Sequence, residues 1–270
     1  MTLVTFLSDF GTRDIFVGVC HGVIATRAPD ARVIDLSHEV PPQDVRTGAL
    51  MLARAVPHVP ADVHLAVVDP GVGTARAAVA VETARGQVLV GPDNGLLTPA
   101  ADALGGAERI HLLEAAAYRS EEVSATFHGR DVFAPAAGAV ASGVPIEELG
   151  ARRSSLLPLE LPTATVDDAT ILAEVVLVDR FGNLQLAASP DDAVAAGLVV
   201  GDRVEVAAAG RHHDAEYVMT FGELPDGDLG LIEDSDGALA LVVAGGSARD
   251  RLGSGLRSHV RLWGATTAAG

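Results

Sequence analysis

The sequence predicts an α/β protein: an N-terminal domain built on a largely parallel sheet, followed by a smaller, antiparallel β-barrel-like domain. Three observations support this. Short apolar runs alternate with helical-period segments as far as Gly150. The texture changes beyond that point, and from Ile171 on the chain is β-rich and punctuated by turn signals. The 270 residues, 49% of them hydrophobic, suffice for one large core or two modest ones and argue against disorder.

Residues 3–7 read as a short buried strand ending at Ser8-Asp9-Phe10-Gly11. Residues 15–28 follow with helical spacing and stop before Pro29. Residues 32–36 form a second strand, and residues 43–56 keep a helical period up to Pro57. Residues 63–68, 77–82 and 87–90 are three further strands, and Gly91-Pro92-Asp93-Asn94-Gly95 is a turn cluster. Residues 109–113 make another strand, and 131–142 an Ala-rich helix ending at Gly143. Residues 158–165 read as a linker, which sets the domains at 1–160 and 166–270. From Ile171 on, turns fall at Gly182-Asn183, Gly201-Asp202, Asp226-Gly227 and Asp236-Gly237. The tail 264–270 reads as frayed.

Composition excludes several functions. The net charge of −17 repels phosphate backbones, and 4% aromatic residues leave few stacking platforms, so no nucleic-acid partner is expected. All 19 basic residues are Arg. Without lysine there is neither Schiff-base chemistry nor a Walker-type phosphate loop. Cys20, the one cysteine, lies in an apolar helical pattern and reads as a buried, inert thiol. The N-terminus lacks a basic region and a long apolar run, and no segment is long and apolar enough to span a bilayer. The expectation is a cytoplasmic protein without a membrane partner.

Two segments carry the chemistry. DPGVGTAR, residues 69–76, places Asp69 and Arg76 on one glycine-rich loop directly after an apolar strand. FHGRD, residues 127–131, supplies His128 at the mouth of an apolar helix. A carboxylate, a guanidinium and an imidazole can together hold and deprotonate a water. A helix N-terminus pushes a histidine pKa down, so His128 tends to be neutral. Ligands of α/β sheets collect beyond the carboxyl ends of strands, and Asp9 and Asp69 both stand there. Taken singly, each has a plainer reading. Asp9 suits a ribose diol but also an Asx turn, Asp69 before Pro70 is a turn starter, and Arg76 is a surface charge. Asp179, Phe181 and Asn183 in VDRFGN form a β-turn or a clamp for an amino-acid group, and composition favours the turn. Asn94 belongs first to its turn. His212 and His213 point to opposite faces of a strand, a poor arrangement for a metal pair, so no metal ligands are assigned.

Together SDFGTRDIFVG, DLSHEVPPQDV, VVDPGVGTAR, GPDNGLL, FHGRDVFAP and VDRFGN, in that order, resemble the S-adenosyl-L-methionine hydroxide adenosyltransferases, relatives of the fluorinating and chlorinating enzymes. The resemblance implies hydrolysis of S-adenosyl-L-methionine to adenosine and methionine. It implies a homotrimer with sites between subunits, and no cofactor beyond the substrate. Asp69, Arg76 and His128 match the water-handling residues, and Asp9 the ribose-gripping carboxylate. Asn94 matches a contact near the nucleoside, Asp179 and Asn183 the methionine end, and Phe181 the packing beside it. Phe221 and Ser235 match the adenine pocket. Two positions depart on that side: Asp234 and Ala244 stand where relatives commonly carry Asn. The halide-using relatives carry an aromatic residue at the position of Asp69 and Ser at that of Gly129, so chloride transfer is the less favoured reading. A binding module without turnover is a further alternative, since resemblance alone does not establish catalysis. A dinucleotide fold is excluded because no G-x-G-x-x-G opens the first helix.

Overall fold

A computed structural model describes residues 2–265. The chain forms two compact units, Met1–Glu160 and Leu161–Gly270.

The first unit is a three-layer α/β/α arrangement. Its sheet contains β1 (Leu3–Ser8), β2 (Arg32–Ser37), β3 (Val63–Val67), β4 (Ala78–Thr83), β5 (Val88–Pro92), β6 (Ala107–Leu112) and β7 (Arg152–Arg153). The spatial order is β2-β1-β3-β5-β4-β6-β7. β2, β1, β3 and β5 pair in parallel, whereas β4 runs antiparallel to both neighbours, as does β7 to β6. The sheet is therefore mixed, with most strands pointing one way. β4 is reached from β3 through one glycine-rich loop, and β5 from β4 through a tight turn at Thr83–Gly86, so neither connection contains a crossover helix.

Helices α1 (Phe16–Arg27) and α4 (Ala134–Ala141) cover one face, where Cys20, Ile24 and Ala136 meet Val4, Phe6 and Leu65. Helices α2 (Val45–Ala55) and α3 (Thr98–Ala103) cover the other, where Ala49 and Leu52 meet Leu7, Ala66 and Leu89. Alternation along β1 sends Val4 and Phe6 to one layer and Leu7 to the other. Cys20 is fully buried, and burial pushes its thiol up to about 12, so it stays a protonated thiol. The expected helix over 131–142 begins instead as one π turn, Gly129–Phe133, before α4. Pro135 has no N–H to give and sits in the first turn of α4, where none is needed. The turn cluster at 91–95 starts later than expected, because Gly91 and Pro92 still belong to β5.

The second unit closes a barrel. Its strands are β8 (Thr165–Asp167), β9 (Thr170–Val178), β10 (Leu184–Leu186), β11 (Arg203–Ala208), β12 (Arg211–Tyr217), β13 (Leu229–Glu233), β14 (Leu239–Val243) and β15 (His259–Gly264). The order β10-β14-β13-β12-β11-β15-β9 returns to β10, and β8 adds to β9. Closure leaves those seven strands no free edge. One pairing departs from the antiparallel expectation: β12 and β13 are parallel, because a long connection through Phe221–Glu223 reverses the chain between them. Short helices α5 (Pro190–Ala195), opened by a Ser189/Asp192 capping box, and α6 (Ala248–Leu252) join strands of the barrel. Ile171, Val206, Leu231, Leu241 and Val260 fill its interior. Of the tail expected to fray, Gly264 closes β15, while 266–270 lie outside the described residues.

Candidate active site

The glycine-rich loop after β3 folds back on itself. Gly73 has φ +77°, and a Cβ there would run into the carbonyl of Ala125, so only glycine serves. This return brings Arg76 over Asp69. Arg76 Nε donates to Asp69 Oδ1 at 3.0 Å, and Nη2 donates to Asp69 Oδ2 at 2.5 Å. Nη1 donates to the Ala77 carbonyl at 3.0 Å, and the guanidinium lies 5.2 Å from the centre of the Phe133 ring. The two side chains are only 7% and 6% exposed. A bidentate pair this buried is held in one geometry.

His128 precedes the π turn. Its Nδ1 lies 3.0 Å from Arg76 Nη2. A guanidinium only donates, so Nδ1 accepts, and a neutral His128 carries its proton on Nε2. Burial lowers the pKa of His128, and the Arg76 charge lowers it further against the opposing Asp69 charge. The imidazole is thus neutral at pH 7. Arg76, His128, Thr74 and Arg119 line one cavity of about 410 Å³. Arg119 carried no signal in the sequence; the fold alone brings it there.

The other charges of FHGRD hold the loop. Arg130 donates twice to Asp131, at 2.7 and 2.9 Å, and Asp131 also accepts from the Ser124 N–H. Gly129 faces Phe10: a Cβ would stand 2.9 Å from that ring, which packs edge-on against Phe127.

Asp9 sits just past β1. Its Oδ2 accepts from the Gln43 N–H at 2.8 Å. Gln43 holds φ +64°, a left-handed conformation rare outside glycine, directly before the Asp44 cap of α2. Burial raises the pKa of Asp9, the Gln43 N–H works against this, and the Asp69 charge adds to the rise. Asn94 braces its own loop: Nδ2 donates to the Val68 carbonyl and Oδ1 accepts from the Leu96 N–H. One N–H and one lone pair of that amide stay available.

On the second unit, Asp179 ties the turn after β9. Its Oδ1 accepts from the Phe181 and Asn183 N–H groups, both at 2.9 Å, and Oδ2 accepts from Asn183 Nδ2 at 2.7 Å. Asp179, Phe181, Asn183, Phe221 and Ser235 all line one cavity of about 420 Å³. Asp234 lines it too, as do Gln185 and Met219, which the sequence did not single out. Its lining is mainly apolar, and Phe181 and Phe221 are 75% and 47% exposed. Nearby, Ala244 is buried. The sequence-derived site residues therefore fall into two groups, one on each unit.

The profile of the SAM hydroxide adenosyltransferase N-terminal domain matches residues 4–150, and that of the C-terminal domain matches 173–261. This chain belongs to the SAM hydroxide adenosyltransferase family. Among its relatives, the (R)-S-adenosyl-L-methionine hydrolase of Salinispora tropica is 48% identical over 93% of each chain. The protein of the same name from Thermus thermophilus is 44% identical, over 97% of this chain and all of the relative. A crystal structure of an uncharacterized conserved protein from Thermotoga maritima superposes with a TM-score of 0.91 at 34% identity, covering 96% of this chain and 99% of that one. Proteins named fluorinase stand further off, at 26–28% identity. Among the described residues, no helix of this family member is long and apolar enough to cross a membrane.

Proposed function

We propose that this chain hydrolyses S-adenosyl-L-methionine to adenosine and L-methionine, with water attacking the ribose C5′ in line with the bond to sulfur. The observation that carries the reading is the buried Asp69–Arg76 pair, with the His128 ring on the same guanidinium. An oxygen–carbon bond forms at C5′ and the carbon–sulfur bond breaks. Its electron pair stays on sulfur, so methionine leaves as a neutral thioether without a general acid.

The difficulty lies in the nucleophile. Forming hydroxide from bulk water at pH 7 costs about 12 kcal/mol, from a water pKa near 15.7. A positioned base contributes roughly 3–5.5 kcal/mol. In-line placement supplies roughly 7–11 kcal/mol more. Positioning is the larger share, so the polar groups that orient the substrate, Asp9 and the Asp179–Asn183 clamp, affect turnover as well as binding. Asp69 holds the water and takes its proton. His128 does not compete for that proton, because Nδ1 already accepts from Arg76 and Nε2 bears hydrogen; its Nε2–H orients the water. Arg76 fixes the carboxylate and offsets the growing hydroxide charge.

Asp9 grips the ribose diol, and Asn94 contacts the nucleoside with its remaining donor. Asp179 and Asn183 take the methionine end beside Phe181, while Phe221 and Ser235 take the adenine. The active form is a homotrimer in the cytoplasm, with sites between subunits. Light scattering should give a mass near three times 27.6 kDa.

Chromatography of products, after incubation with each sulfonium epimer in heavy-oxygen water, tests the reaction. Adenosine labelled at its 5′ oxygen is expected, with the R epimer consumed, as the relatives' name specifies. Unlabelled adenosine, or 5′-chloro-5′-deoxyadenosine formed in excess chloride, would overturn direct water attack. Binding measured by calorimetry without adenosine release would leave a module that only binds.

A further inference from the structure

A second polar cluster lies on the first unit and takes no part in the proposed reaction. His21 projects from α1, Asp35 lies on β2, and His38 follows β2. One donor atom from each falls within 4.8 Å of the others, and this is the one such group of three found among the described residues. His21 Nε2 stands 2.7 Å from Asp35 Oδ1, and His38 Nε2 stands 3.0 Å from the same oxygen. His38 is 5% exposed, yet its Nε2 makes no hydrogen bond: it is near the carboxylate but off-line for it. A buried imidazole nitrogen without an aligned hydrogen-bond partner is costly and unusual. Two nitrogens converging on one carboxylate oxygen suit a third body that all three can share.

The surroundings hold both rings. His38 Nδ1 pairs with Ser8 Oγ at 2.7 Å, and that oxygen also accepts from the Phe10 N–H. Such a bond on the far ring nitrogen is the usual support of a metal-ligating histidine, because it fixes tautomer and orientation. The Phe6 ring lies edge-on to His38 at 4.7 Å and tilted against His21 at 6.1 Å.

We propose that His21, Asp35 and His38 bind a divalent first-row transition metal of the zinc class. Two imidazoles and one carboxylate are a borderline donor set that suits zinc, cobalt or nickel over calcium or magnesium. Ligands at tetrahedral angles and zinc distances stand about 3.3 Å apart, so the observed gaps need to open by roughly half an ångström. Asp35 and His21 are partly exposed, which leaves an entry path and room for water. The bound ion would fasten α1 to the ends of β1 and β2, behind the Ser8–Asp9 step. This proposal stands apart from the hydrolase reading.

The test uses the untagged full-length chain. Zinc is titrated in competition with a chromophoric chelator, and cobalt binding is followed by visible absorption. One ion per chain is expected, with thermal stabilisation of about 5 °C or more at a hundredfold excess over Kd. His21→Gln and Asp35→Asn alter partly exposed side chains and should fold; each should weaken zinc by about tenfold or more and abolish the cobalt bands. Failure of the wild-type chain to compete overturns the site. So does unchanged affinity in both variants, which would assign the ion elsewhere, for instance to His212 and His213.

Discussion

The two cavities, one on each unit, are built on opposite principles. Asp69 and Arg76 are buried, charged and already hydrogen-bonded to each other, and the half-buried, neutral His128 ring joins them through Arg76. Around Phe181, Phe221 and Ser235 the lining is mainly apolar and two aromatic rings face outward. The first arrangement fixes dipoles before any substrate arrives, which is what stabilising a developing charge requires. The second leaves apolar surface that a ligand can cover, which is what recognition requires. On the proposed function, the first unit carries the chemistry with part of the nucleoside contacts, and the second unit adds affinity.

Substitutions separate the two roles, and the largest effect belongs to Asp69. Asp69→Asn keeps the shape and removes the proposed proton acceptor, so the single-turnover rate should fall by about 10²–10⁴-fold. Binding of substrate by calorimetry should change little. A rate within a few-fold of wild type would break the division.

Arg76→Ala should lower the single-turnover rate by roughly 10²–10³-fold. It also leaves a buried carboxylate without its partner, which costs about 3–5 kcal/mol of stability. Denaturant unfolding reads the second effect. Arg76→Lys should restore little of either, since an ammonium cannot make the two parallel bonds.

Acid should weaken the first unit in particular. Burial lowers the pKa of His64 from 6.5 to about 4, against an opposing influence of the Gln87 side chain. The unfolded chain takes up this proton first as pH falls. Stability present above pH 6.5 is therefore lost between 6.5 and about 4, by about 3 kcal/mol. His64→Gln should flatten that part of the stability profile. The depressed pKa of His128 has the same sign. Once protonated, its Nδ1 no longer accepts from Arg76, so the single-turnover rate should also fall on the acid side; a rate that rises there would contradict the assigned tautomer.

The smallest effect is expected on the barrel. Phe181→Ala removes an exposed ring, so stability should move by no more than about 0.5 kcal/mol. KM should rise by roughly 2–10-fold with kcat nearly kept. A large loss of kcat at saturation would give this cavity a share of the chemistry and blur the contrast.

Much of this architecture was legible in the chain. Apolar runs ended by Gly, Pro and Asp marked β1, β2 and β3, and helical spacing before Pro29 and Pro57 marked α1 and α2. Helix α3 was not read, because residues 98–103 span fewer than two turns and show no period. Helices α5 and α6 are equally short. The antiparallel direction of β4 and the parallel β12–β13 pairing were not legible, although β4 itself was: alternation reports burial, and strand direction depends on where the connection returns.

The sequence by itself determined which residue types are present and which local turns they favour. Asp69 and Asp9 stand at strand ends because apolar runs stop there, and Asp179 with Asn183 makes a turn because both side chains bond nearby backbone or each other. Only the tertiary structure decided that Arg76 lies between Asp69 and His128, and hence which nitrogen of His128 carries the proton. It alone joined His21 on a helix to Asp35 on a strand and His38 just beyond it. The reason is physical: local pattern acts over a few residues of chain, whereas a donor meets its acceptor across a packed interior only after the whole layer has formed.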